Sequence, residues 1–254
     1  MTGRTDATLA RDVARQAGEL LTALRRDPPP GRPLRDAADA ASHRLIADLL
    51  AEHRPDDVVL SEEAPDPRAR LAARRVWIVD PLDGTREYGE DGRTDWAVHV
   101  ALWADGDLVA GAVGLPALDA VHATDDAPPQ LPGPGPAGPR FVVSRSRPPA
   151  VATALALDLG ATLVPMGSAG AKAAAVWRGE VDAYVHAGGL HEWDAAAPVV
   201  VARAAGLHVS RLDGAPLTFN REEPYVPDLL VCTPSLADPI LAWTTRHAAE
   251  VISR

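Results

Sequence analysis

Residues 76–85 read Val76-Trp77-Ile78-Val79-Asp80-Pro81-Leu82-Asp83-Gly84-Thr85. Four apolar residues, β-branched or aromatic, have the character of a strand and deliver two aspartates at its end. Proline has no N–H to give to a ladder, so the strand is expected to stop near Asp80, and the Asp-Gly pair then turns the chain sharply. Two carboxylates and the carbonyls between them face one small volume. Hard divalent cations take oxygen ligands of this sort, and Mg²⁺ binds a few carboxylates while keeping waters for a phosphate. Gly84 and Thr85 are expected to open a helix whose free N–H groups point to the same place and favour an anion. Metal ligands beside amide donors are the parts of a phosphoryl-transfer site.

Three further acidic clusters lie beside apolar runs: Ala37-Ala38-Asp39, Val58-Val59-Leu60-Ser61-Glu62-Glu63, and His191-Glu192-Trp193-Asp194. Carboxylates at strand ends are held rigidly at the rim of a sheet, where a ligand can reach them. A lone Asp before Gly or at the head of a helix is usually only a cap, and Asp83 or Asp194 alone would be read so. Their occurrence together in one chain argues for a site. The spacing argues against a phospho-aspartate mechanism of the haloacid-dehalogenase kind, whose D-x-D-x-T places the acids two apart on a strand, whereas here they stand three apart.

Around these motifs the chain divides. Asp6–Arg26 and Asp39–His53 carry apolar residues at helical spacing, with DPPPGRPLRD between them as a loop. Strand-type runs follow at 58–60, 76–79, 96–103 and 108–113, the last two joined by Ala104-Asp105-Gly106-Asp107, a hairpin turn. Residues 1–126 are therefore expected to form an α+β half with an antiparallel sheet. Ala127–Pro139 holds six prolines and three glycines in thirteen residues, which suits neither helix nor ladder and reads as a connection. In 140–254 strands at 141–143, 162–164, 181–185, near 209 and at 229–231 alternate with helices from 149, at 169–177, 194–205 and 239–252, an α/β half.

With 46% hydrophobic and 24% charged residues in 254, the chain is neither a fibre nor a disordered tail. A net charge of -10 argues against coating a nucleic-acid polymer, which requires Lys and Arg against phosphates. No secretory signal and no membrane span are visible, so a cytoplasmic protein with no membrane partner is expected. Cys232, the one cysteine, lies in an apolar run and reads as a buried core thiol. Trp77, Trp96, Trp103 and Trp177 read as packing residues, Trp193 as a buttress for Asp194, and His99 as a satisfied sheet residue rather than a ligand.

Asp80-Pro-Leu-Asp-Gly-Thr85, with Ser61-Glu-Glu63 upstream and Trp193-Asp-Ala-Ala-Ala-Pro198 downstream, resembles the inositol monophosphatase superfamily of magnesium-dependent, lithium-sensitive phosphatases. The resemblance implies a layered α-β-α-β-α sandwich with two or three Mg²⁺ ions per site and inhibition by Li⁺. By the same resemblance Glu62, Asp80 and the Leu82 carbonyl hold the activating metal, and Asp80, Asp83 and Asp194 a second. Glu63 holds a water of a third, Thr85 with Asp39 positions and deprotonates the attacking water, and the Gly84 and Thr85 amides take the phosphate.

Within the superfamily, Asp83-Gly-Thr-Arg-Glu-Tyr88, Val142-Val-Ser144-Arg145-Ser146 and Gly167-Ser168-Ala-Gly-Ala-Lys172 resemble the bacterial 3'(2'),5'-bisphosphate nucleotidases. This implies removal of the 3'-phosphate from 3'-phosphoadenosine 5'-phosphate, extending to the corresponding sulfate donor. Ser144, Arg145, Ser168, Lys172 and His186 are then the substrate-binding candidates. Twenty-four of the 25 basic residues are arginine, so the single Lys172, expected at a helix start, suggests a point charge where a planar fork would not fit. The Ser-to-Lys spacing is one residue longer than usual, and His186 stands where many of these nucleotidases carry Arg. His186 when protonated, or Arg145 in its stead, is left to meet the second phosphate. The partner implied is a small bisphosphate nucleotide, with a homodimer admitted as the assembly. Inositol, sugar or histidinol monophosphates remain open as substrates, as does a non-catalytic nucleotide sensor.

Overall fold

The computed structural model describes residues 4–27, 33–131, 133, 135 and 137–247. Helix α1 (Asp6–Arg26) has the expected bounds, with Thr5 capping its start and Arg25 and Arg26 at its negative end. Helix α2 (Leu34–His53) starts earlier than the expected Asp39, because Leu34 packs on the core beneath and draws 34–36 into the helix. Asp39 therefore lies in its second turn. Residues 28–32 of the expected loop fall outside the described residues.

Strands β1 (Val58–Ser61), β2 (Arg75–Asp83), β3 (Ala97–Ala104), β4 (Asp107–Leu115) and β5 (Ala120–Ala123) form one sheet in that order. β1 runs parallel to β2 and the remaining pairs are antiparallel. The β3–β4 turn has positive φ at both Asp105 (48°) and Gly106 (108°), the hairpin geometry that Asp-Gly supports.

β2 does not end at Asp80. It pairs Asp80 with His99 and resumes with Asp83 opposite Ala97, so one extra residue bulges out and takes up the proline. The bulge has a chemical consequence. Residues three apart on a regular strand point to opposite faces, and the inserted residue brings Asp80 and Asp83 to the same side. The one-turn helix α3 (Thr85–Tyr88) follows from Gly84.

The second sheet comprises β6 (Arg140–Ser144), β7 (Thr162–Met166), β8 (Ala183–His191), β9 (His208–Ser210) and β10 (Tyr225–Cys232), in the order β7-β6-β8-β10-β9. β6 is parallel to β7 and β8, but β10 is antiparallel to β8 and β9, so this half is mixed rather than purely alternating. Helices α4 (Ala150–Asp158), α5 (Ala169–Trp177), α6 (Glu192–Ala204) and α7 (Pro234–Arg246) accompany it. α7 begins before the expected Pro239 because Leu236, Ala237, Ile240 and Trp243 form one buried face from its first turn onward. Residues 248–252 of that expectation lie outside the described residues.

α1 and α2 cover the outer face of the first sheet and α4 and α7 that of the second. α5 and α6 lie between the sheets, where Ala97, Ala101 and Val113 of the first meet Tyr184, Leu229 and Val231 of the second through the two helices. α5 reads Ala-Gly-Ala-Lys-Ala-Ala-Ala-Val-Trp, and all nine residues are buried. A helix apolar on every side requires cover on every side, and its small side chains let two sheets approach it. The result is an α-β-α-β-α sandwich. Trp77, Trp96 and Trp177 are core residues, Trp103 packs at the core edge, and Cys232 is fully buried.

Candidate active site

The three aspartates come from two places: Asp80 and Asp83 from the bulged end of β2, Asp194 from the first turn of α6. One ligand oxygen from each lies within 4.8 Å of the others. Each carboxylate also uses an oxygen to fix itself. Asp80 Oδ1 accepts from Leu82 N (3.0 Å), and Asp194 Oδ2 accepts from His191 N (2.9 Å) in a capping box. Asp83 Oδ2 accepts from Ser168 Oγ (2.5 Å) and Gly170 N (2.7 Å), at the start of α5. Asp80 Oδ2 is buried and has no hydrogen-bond partner among the described residues.

That arrangement is costly for the protein alone. Burial first, then repulsion from Asp83, Glu62 and Asp194, holds the Asp80 carboxyl well above its ordinary range. Burial and Asp83 push Asp194 up to about 7. Burial acts to raise Asp83 too, but His99, Lys172 and Ser168 outweigh it and hold Asp83 at about 2. Buried, converging carboxylates with a bare oxygen and hard oxygen donors throughout fit a divalent cation such as Mg²⁺.

Glu62 and Glu63 occupy the turn after β1, are exposed, and do not belong to the trio whose oxygens converge. Crowding around the Glu62 carboxyl and repulsion from Asp83 and Glu63 raise it. Asp39 faces both from α2, and burial together with those two charges pushes it up to about 7. Thr85 Oγ1 donates to Leu82 O (3.1 Å) and makes no hydrogen bond to Asp39. Gly84, at φ 85°, has no room for a side chain: a Cβ would sit 3.1 Å from Ser168 Cβ and 3.2 Å from Asp95 O.

The substrate candidates divide by the contacts they make within the protein. Ser168 lends its hydroxyl to Asp83, so it acts on a carboxylate rather than standing open to substrate. Lys172 is 6% exposed; its Nζ donates to Ser168 O (2.7 Å) and Gly167 O (3.3 Å) and lies 5.2 Å from the centre of the Tyr184 ring. Burial lowers its pKa against the pull of Asp83 and Glu87. It is thus enclosed, and it ties down the loop before α5. Arg145 is committed to Glu87 (2.7 Å) and Glu90 (2.6 Å).

Ser144 and His186 line a cavity of about 620 Å³ with Arg147, Gly188, Arg211 and Asp228. His186 Nε2 is 2.9 Å from Gly189 O, a group that only accepts, so Nε2 carries the proton and Nδ1 is bare. Burial lowers its pKa, which opposes the expectation of a charged imidazole.

Two supports escaped the sequence reading. Ser42 Oγ donates to Pro81 O (2.8 Å), pinning the bulge to α2. His99 is fully buried, with Nε2 3.2 Å from Asp83 Oδ2 and Nδ1 3.0 Å from Trp193 O. Burial pulls its pKa down, but Asp83 leaves it raised. Its position opposite Asp80 became informative only once the strand was known to continue that far.

Among known proteins, the inositol monophosphatase family model matches residues 8–133 and 138–247. The chain is 49% identical to the 3'-phosphoadenosine 5'-phosphate phosphatase of Mycobacterium leprae over 96% of this chain and 94% of that protein. It is 32% identical to the 3'(2'),5'-bisphosphate nucleotidase CysQ of Escherichia coli over 75% of this chain and 81% of that one. The crystal structure of CysQ from Bacteroides thetaiotaomicron, a bacterial member of the inositol monophosphatase family, superimposes with a TM-score of 0.76 at 26% identity, covering 91% of this chain and 97% of that one. Layered fold, motif order and nearly full-length likeness agree, and the chain belongs to the inositol monophosphatase family.

Proposed function

We propose that this chain is a Mg²⁺-dependent, Li⁺-sensitive phosphomonoesterase that converts 3'-phosphoadenosine 5'-phosphate to adenosine 5'-phosphate and acts on the corresponding phosphosulfate. The observation that carries this reading is the convergence of Asp80, Asp83 and Asp194 with Asp80 Oδ2 left bare. The nucleotide assignment draws on the likeness to the Mycobacterium leprae enzyme.

Asp80, Asp83, Asp194, Glu62 and the Leu82 carbonyl would hold the metal, with Glu63 at its edge. Mg²⁺ bound there supplies charge neutralisation and a more acidic water. The Leu82 carbonyl has two lone pairs, so accepting from Thr85 leaves one for a cation. That same bond fixes the Thr85 hydroxyl with its lone pairs outward, ready to accept from the attacking water. Asp39, which faces Glu62 and Glu63 from α2, is the carboxylate placed to take the water's proton. The Gly84 and Thr85 amides bind the reacting phosphate. The nucleotide occupies the cavity beside Ser144 and His186. Arg147 meets its non-scissile phosphate, because Arg145 and Arg211 are spent on acids while Arg147 has no ion pair among the described residues.

Phosphate release from 3'-phosphoadenosine 5'-phosphate and from inositol 1-phosphate, each with Mg²⁺ and with chelator, tests the reading. Fast, chelator-sensitive release from the nucleotide is expected. Equal or faster release from inositol 1-phosphate overturns the nucleotide assignment, and release unaffected by chelator overturns the metal.

A further inference from the structure

His99 sits at the middle of the sheet and belongs to none of the motifs. Its partners nevertheless come from both carriers of the carboxylate trio. Nε2 is 3.2 Å from Asp83 Oδ2, on the β2 bulge, an ion-pair contact rather than an aligned hydrogen bond, and it makes no hydrogen bond among the described residues. Nδ1 is 3.0 Å from Trp193 O, the carbonyl immediately before Asp194. A carbonyl only accepts, so Nδ1 donates to it. One rigid imidazole thus spans the gap between the end of β2 and the first turn of α6. The start of α5 closes over the same ring: a Cβ on Gly170 would fall 2.1 Å from His99 Nε2, so only glycine allows that approach.

The consequence is geometric. Ser168 Oγ, Gly170 N and His99 Nε2 all face Asp83 Oδ2, so three groups hold that carboxylate through one oxygen. Ser168 caps α5 and Gly170 lies in its first turn. His99 also touches the segment bearing Asp194, so it links the ligand from the first half to the ligand from the second. A carboxylate cluster binds a small ion tightly only when its oxygens are held at the spacing the ion needs, and groups behind the ligands enforce that spacing.

We propose that His99 is a positioning residue of the metal centre, a bridge that holds Asp83 and Asp194 in register for Mg²⁺. This rests on the metal reading above. Its side chain has no part in binding the nucleotide.

The test uses the full chain and Mg²⁺ alone. Calorimetric titration is set beside kcat and KM measured across Mg²⁺ concentrations. His99→Leu, similar in bulk but without ring nitrogens, is expected to bind Mg²⁺ about 10- to 100-fold more weakly. Its turnover should recover as Mg²⁺ is raised, with KM for the nucleotide at saturating Mg²⁺ within about twofold of wild type. His99→Gln can place an N–H near Nε2 and keep the Asp83 contact, so it should bind the ion better than His99→Asn, which reaches only Trp193 O. A folded His99→Leu with wild-type Mg²⁺ affinity overturns the proposal. Should His99→Leu not fold, the Gln and Asn pair decides, and Asn binding as well as or better than Gln overturns it. A wild-type chain that takes up no Mg²⁺ overturns the metal reading and this inference with it, whereas wild-type binding matched by the variants overturns this inference alone.

Discussion

Lys172→Ala separates a lysine that touches substrate from one that builds the site. In the structure Nζ donates to Ser168 O and Gly167 O, and Ser168 itself has φ 47°, a conformation unfavourable for a side-chain-bearing residue. Such strain costs of order 1–3 kcal/mol and persists only where surroundings hold it. Each of the two hydrogen bonds from this charged group contributes about 1.5–3 kcal/mol, about 3–6 kcal/mol together. Against that loss stands relief from burying an ammonium, which leaves a net destabilisation of about 2–4 kcal/mol. At about 2–4 °C per kcal/mol for a chain of this size, Tm should fall by about 5–15 °C. The freed loop also lets Ser168 leave Asp83, so activity should fall by a similar factor on every substrate. Thermal unfolding without added metal gives the first quantity. The ratio of kcat/KM for 3'-phosphoadenosine 5'-phosphate to that for 3'-AMP, which lacks the 5'-phosphate, gives the second. An unchanged Tm with loss confined to the bisphosphate would refute the reasoning and return Lys172 to the substrate.

Arg147→Ala should do the opposite, lowering kcat/KM about tenfold or more on the bisphosphate, the scale of one charge-assisted contact, while leaving 3'-AMP nearly untouched. Equal loss on both would remove it from the phosphate. Asp194, raised from 3.8 to about 7, is deprotonated more readily in the unfolded chain than in the folded one. The folded state is therefore favoured below pH 3.8, and stability drains away as pH rises through about 7. Urea midpoints with chelator at pH 5 and pH 8 should show that decline, and Asp194→Asn or added Mg²⁺ should flatten it; a decline equally steep in the Asn variant contradicts the assignment. Cys232, fully buried with its thiol pushed up to about 12, should resist a thiol reagent at pH 8 until denaturant is added. Labelling of the native protein at the free-thiol rate would contradict its burial.

Local chemistry made part of this protein legible from its sequence. The bounds of α1 and α5 follow from apolar spacing and caps, and the Asp105-Gly106 hairpin from a dipeptide that tolerates two positive φ angles. The metal motifs are readable for the same reason: Asp80-Pro-Leu-Asp83 compresses two carboxylates into one bulge, and residues so close in sequence cannot be far apart in space. Even there, the reading took Pro81 for the end of a strand, because a bulge is recognised only against its partner, here the step from His99 to Ala97.

What lay beyond the sequence depends on long-range pairing. Lys172 reads as a charge held ready for the substrate until α5 is seen enclosed between two sheets, a placement that no single helix announces. Ser168 and Arg145 read as free groups until the fold sets them against Asp83 and against Glu87 and Glu90. His99 reads as a sheet residue because its alternation is satisfied, yet its two contacts, to Asp83 and Trp193, form only when β3 passes beneath the start of α6. Residue type and spacing determine which groups can bind a cation. The packing of distant segments decides which side chains remain free for a ligand and which are used up in holding the others still.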